Sequence, residues 1–158
     1  MITVREFLKN SAEKGRDKVD VDFDSIEQPR YDRAQRKLSF KGYAKGSGGK
    51  LYKVQVAFFK VEDDGATPEM LENGYIPLPI DILDHPIKVD CDCIDYTLGG
   101  ALKGNLKHDC ALFTDKTLSS YKKKTDRPEN NAENIPYGCK HIVSFIYTIM
   151  DALSKNIK

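Results

Sequence analysis

The sequence predicts an α+β fold in which an N-terminal helix, a small antiparallel sheet with a long hairpin, and a C-terminal helical unit form one domain. Three observations predict it. Apolar and polar residues alternate strictly in several runs of the first half, a glycine-rich turn joins two of those runs, and an apolar stripe at helical spacing lies near the C-terminal end. A chain of 158 residues suits a single domain, 1–158, since domains commonly run to about 100–150 residues.

The first element is a short helix within residues 1–15. Thr3-Val4-Arg5-Glu6 has the form of a capping box, in which the Thr3 hydroxyl serves the Glu6 amide and the Glu6 carboxylate reaches back to Thr3. Val4, Phe7 and Leu8 supply an apolar stripe, and Gly15 is a stop signal. The sheet region is expected over 19–90. Val19, Val21 and Phe23 alternate with Asp20, Asp22 and Asp24, which places the apolar three on one face of a strand. The row of carboxylates is read as a solvated face, because the glycine and distant glutamate of an EF-hand loop are missing.

Leu38–Ala44 and Leu51–Val61 are two further strands, with Tyr52, Val54, Val56 and Phe58 on one face. Lys45-Gly46-Ser47-Gly48-Gly49-Lys50 between them reads as the hairpin turn. It is not a phosphate loop, since no helix and no GK[ST] follow. Residues 62–88, with four prolines, read as a connection or edge strand, and Ile87-Lys88-Val89 as a last strand leading to Cys91. At the other end Ile142, Ile146, Ile149, Met150 and Leu153 form the stripe of a helix.

Charge narrows the function classes. Lys+Arg number 25 against 24 Asp+Glu, a net charge of +1, so bulk electrostatics do not hold this chain on nucleic acid. With 40% hydrophobic and 31% charged residues the composition is that of a globular protein. No run of about 18 apolar residues exists to span a membrane. MITVREFLKN lacks the apolar core of a signal peptide, so a reducing cytoplasm is the expected setting. The four cysteines are then thiols or metal ligands rather than disulfides.

Two short motifs carry chemistry. Cys91-Asp92-Cys93 can aim two sulfurs at one ion from an extended segment, and Cys139-Lys140-His141 can supply two more ligands at the start of a helix. Four thiolate and imidazole donors meet zinc's demand for a tetrahedron of soft or borderline ligands. His108-Asp109-Cys110 is a second, reversed pair: an alternative source of ligands, or a histidine and a free buried thiol. A Cys139–His141 catalytic dyad is disfavoured, since residues two apart seldom face each other. The motifs of catalytic zinc, H-E-x-x-H or H-x-E with P-C-x-x-C, are missing. A non-enzymatic chain is expected.

The pattern CxC…CxH, with Tyr96 after the first pair and Cys139-Lys140-His141-Ile142 opening an apolar helix, resembles the SWIM zinc finger over residues 91–153. SWIM fingers occur in bacterial ATPase partners, in plant transposase-related proteins and in bacteriophage proteins. The phage form is the most similar, having a long insertion that ends as 131–141 does here, Asn-x-x-x-Ile-Pro-x-x-Cys-Lys-His. The resemblance implies that Cys91, Cys93, Cys139 and His141 hold one structural Zn2+, within a unit 91–158 carrying an insertion at 94–138. It also implies a structural protein of a phage particle (head, neck, tail or baseplate), made in the host cytoplasm and acting through contacts with other virion proteins. The alternative is a nucleic-acid-binding accessory protein. It would use Lys122, Lys123, Lys124 and Arg127 beside Tyr121, with Lys140 next to the metal. Leu98–Gly104 is too rich in glycine to predict a helix and reads as a flexible arm.

Overall fold

The computed structural model describes residues 1–17, 20–62, 69, 81–98, 100–113 and 134–154. The fold is α+β. Helix α1 (Val4–Glu13) precedes strands β1 (Phe23–Ile26), β2 (Arg30–Asp32), β3 (Lys37–Lys45), β4 (Leu51–Phe58) and β5 (Ile87–Cys91). Helices α2 (Ile94–Leu98), α3 (Ala101–Lys107) and α4 (Lys140–Ser154) follow. The sheet is antiparallel in the order β1-β3-β4-β5, with β2 also pairing β3.

Helix α1 starts where the capping residue requires. The Thr3 hydroxyl accepts the Glu6 amide at 3.3 Å, satisfying one of the free donors of the first turn. The Glu6 carboxylate reaches back to Thr3 as expected, accepting from its hydroxyl at 3.3 Å. Val4 and Phe7 are fully buried, and the helix docks on the approach to β5, where Val4 N donates to His85 O and Arg5 N to Leu83 O.

The hairpin forms as expected, with Leu38 opposite Phe58, Phe40 opposite Val56 and Ala44 opposite Tyr52. Its turn is a short 3-10 segment, Ser47–Gly49, in which Gly48 and Gly49 take φ of 72° and 80°. The alternation of β3 and β4 gives the sheet one apolar face, where Leu38, Phe40, Val54, Val56, Phe58, Ile87 and Val89 are buried. Helix α4 crosses that face, burying Ile142, Phe145, Ile146, Ile149 and Leu153. Each fully buried side chain of this size contributes about 1.5–3 kcal/mol. Phe145 approaches the sheet above Gly42, where a Cβ would lie 3.1 Å from its ring, and sits 5.1 Å from Phe23.

Three expectations are corrected. The first strand lies at Phe23–Ile26 rather than 19–24, because its partner β3 ends at Lys45, whose amide already reaches Asp22 O. Pairing runs on to Ile26 opposite Gly42, with a bulge between Phe23 and Ser25. Val19 lies outside the described residues. Strand β4 ends at Phe58, short of Val61, and the three-residue β2 was not foreseen. It is secured by Tyr31, whose hydroxyl donates to Val61 O at 2.6 Å. The third correction is the first part of the insertion, which is helical: Gly100 enters α3 at φ 100°, and Ala101, Leu102, Gly104 and Asn105 are buried. Of the connection 62–88, residues 63–68 and 70–80 lie outside the described residues.

Candidate metal centre

The last strand carries the first two ligands to the end of the sheet. Val54 pairs with Cys91, Asp92 N donates to Lys53 O at 3.2 Å, and the chain then turns into α2. Residues two apart in an extended segment face the same side, so Cys91 and Cys93 both point under the apolar face, 0% and 3% exposed. The other two ligands flank the start of α4. Cys139 precedes it, with its carbonyl accepting Val143 N at 3.0 Å, and His141 lies in its first turn.

Helix α1 positions this second pair. Ser11 Oγ accepts Gly138 N at 3.0 Å and donates to Phe7 O at 2.8 Å, while Asn10 Nδ2 donates to Pro136 O at 3.0 Å. Gly138 passes close to α1: a Cβ there would meet Phe7 Cε1 at 2.9 Å. On the outer side Arg16 grips the same region. Its guanidinium forms a fork with the Asp95 carboxylate at 2.5 and 3.3 Å and lies 5.6 Å from the Tyr137 ring centroid.

The four side chains form one cluster. One donor atom from each of Cys91, Cys93, Cys139 and His141 lies within 4.8 Å of every other, and all four residues are buried. Imidazole Nδ1 is 4.0 Å from Cys91 Sγ and 3.9 Å from Cys139 Sγ. A tetrahedral ion with metal–sulfur bonds of about 2.3 Å and metal–nitrogen bonds of about 2.0–2.1 Å has donor edges of about 3.6–3.8 Å. The cluster could therefore close on a metal ion with small side-chain shifts. The His141 ring is backed by Tyr52, with centroids 5.1 Å apart.

The three clustered thiols perturb one another in opposite directions. The Cys93 thiol is held far below its usual range by hydrogen bonds from Cys139 and Cys91, with His141 and the Tyr96 amide adding to them against burial. Cys139 is pushed well up, by burial first and then by its bonds to Cys91 and Cys93. For Cys91 the bond with Cys139 pulls down, but Cys93 and burial outweigh it and the thiol is raised. A divalent cation would let all three ionise.

The reversed pair stays apart from the cluster. His108 caps the C-terminal end of α3 and is exposed, and the buried Cys110 thiol donates to the His108 carbonyl at 3.4 Å. Among the described residues no other group of three or more such donors comes together. Lys140, the first residue of α4, is exposed beside the cluster. Lys122, Lys123, Lys124 and Arg127 lie outside the described residues. Sequence reasoning missed the supports of the centre, Arg16, Ser11, Asn105 and Tyr137. Each acts across a long sequence separation and leaves no periodicity or spacing to detect.

No family model, curated protein or solved structure matches the chain. No helix of the described residues is long and apolar enough to cross a membrane.

Proposed function

We propose that the chain is a zinc-stabilised, non-enzymatic structural protein whose SWIM-type CxC…CxH centre ties the last strand to the last helix. The observation that carries this reading is the meeting of four buried donors, three sulfurs and one imidazole, from two sequence-distant pairs. Three thiolates and an imidazole suit zinc among the common divalent ions, whereas calcium and magnesium prefer oxygen. Cys91, Cys93, Cys139 and His141 would fill all four positions of a tetrahedron. A catalytic zinc instead keeps one position open for water or substrate. The ion would serve to hold Cys93 and α2 against Cys139 and α4, a contribution on the order of 10 kcal/mol for a structural site.

Such a chain would act through its surface, and the resemblance of its motif to phage SWIM-type proteins supports the reading that this surface meets other virion proteins in a phage particle. Mass spectrometry of purified particles tests this: the chain is expected there in stoichiometric amount, and its absence would remove the virion reading. Nucleic-acid binding is the outcome that would replace it, seen as an affinity falling steeply with salt and with loss of Lys122, Lys123, Lys124 and Arg127.

A further inference from the structure

Asn105 is a fully buried polar residue on α3, and its amide touches both halves of the metal centre. Its Nδ2 donates to Tyr96 Oη at 3.0 Å and to the Tyr137 carbonyl at 3.0 Å. Tyr96 belongs to the first half: its backbone N–H donates to Cys93 Sγ at 3.3 Å, and its hydroxyl donates to Val89 O at 3.4 Å, two residues before Cys91. Tyr137 belongs to the second half, two residues before Cys139. A single amide group therefore bridges the segments that carry the two ligand pairs.

The orientation of that amide follows from its partners. A backbone carbonyl can only accept, so the group facing Tyr137 O must be the NH2. The remaining Oδ1 is then buried with no hydrogen-bond partner among the described residues. The amide's two satisfied bonds both lead to the metal centre.

We infer that Asn105 is a positioning residue of the metal centre, setting the distance between Cys91-Cys93 and Cys139-His141 before an ion is bound. The inference rests on the zinc reading above. It gives the insertion a task, because α3 brings the bracket to the site. Supports of this kind, acting through the ligands' neighbours, commonly account for about 10–100-fold in metal affinity.

The test is Zn2+ affinity, by competition with a chromophoric chelator, together with the visible absorption of the Co2+-loaded protein. Wild type is compared with Asn105→Asp, Asn105→Leu and Tyr96→Phe. Aspartate keeps the shape and at most one donor, leucine keeps neither, and Tyr96→Phe removes one acceptor while leaving the packing intact. The inference expects Zn2+ binding at least about tenfold weaker in both Asn105 variants and a smaller loss in Tyr96→Phe. It also expects shifted Co2+ bands, which a loss of stability alone would not produce. In metal-free protein the clustered thiols should react faster with a maleimide, with Cys110 as the internal control. Should an Asn105 variant fail to fold, Tyr96→Phe decides the matter. Wild-type affinity and unshifted Co2+ bands in the folded variants would overturn the bracket alone. A wild type that binds neither Zn2+ nor Co2+ would overturn the zinc reading and the bracket with it.

Discussion

Gly138→Ala probes the contact that seats the second ligand pair against α1. A Cβ at this position would lie 2.9 Å from Phe7 Cε1, 3.0 Å from Phe7 Cζ and 3.0 Å from Ile142 Cγ2. Carbon atoms prefer separations of about 3.5–4.0 Å, so the Phe7 ring or the 137–139 backbone must give way by about 0.5–1 Å. Phe7 and Ile142 are both fully buried, and overpacking such a core costs about 1–3 kcal/mol. Replacing glycine also restricts the unfolded chain and returns about 0.4–1 kcal/mol. The net expectation is a loss of about 1–2 kcal/mol, at about 2–4 °C of Tm per kcal/mol for a chain of this size. Urea unfolding of Gly138→Ala, Phe7→Leu and the double variant measures it. The double variant should lose less than the sum of the singles, because the smaller side chain makes room for the new methyl. Wild-type stability in Gly138→Ala, or strict additivity in the pair, would show that Phe7 is not seated against Gly138.

Two further outcomes follow from the neighbours of the centre. Arg16 and Asp95 are partly exposed, so Arg16→Ala should cost only about 0.5–1 kcal/mol, with Arg16→Lys recovering part of it by charge without the fork; thermal unfolding of the three proteins checks the order. Tyr96 is pushed well above its usual value by burial. Its neutral phenol therefore contributes stability that is fully present below about pH 10 and lost as pH rises from there toward the raised folded value, by at most about 1.4 kcal/mol per pH unit. Urea titrations between about pH 9 and 11.5 should show a shallower decline for Tyr96→Phe than for wild type, and parallel declines would contradict the burial of this hydroxyl.

The four clustered residues were legible because two-residue spacings of cysteine and histidine are rare and chemically pointed. The strands β3 and β4 were legible because Leu38–Ala44 and Tyr52–Phe58 alternate over a full strand length beside a glycine turn. What stayed hidden is tertiary in origin. Gly99, Gly100 and Gly104 argue locally against a helix, yet the burial of Ala101, Leu102 and Asn105 outweighs the propensity of α3. The Val19–Asp24 alternation is genuine, but the end of β3 decides which of those residues finds a partner. Arg16 and Asn105 each meet Tyr137 only through tertiary folding across long sequence separations. Their roles follow from distances between atoms rather than from spacing.

The central claim is that the chain binds one zinc ion through Cys91, Cys93, Cys139 and His141. Metal analysis of freshly reduced protein, alongside Cys139→Ser and Cys110→Ser, tests it most directly. The account predicts about one zinc per chain, lost in the Cys139 variant, whose sulfur lies 3.9 Å from His141 Nδ1, and kept in the Cys110 variant, which stands apart from the cluster. A metal-free wild type, or a Cys139→Ser protein that retains its full zinc, would contradict it.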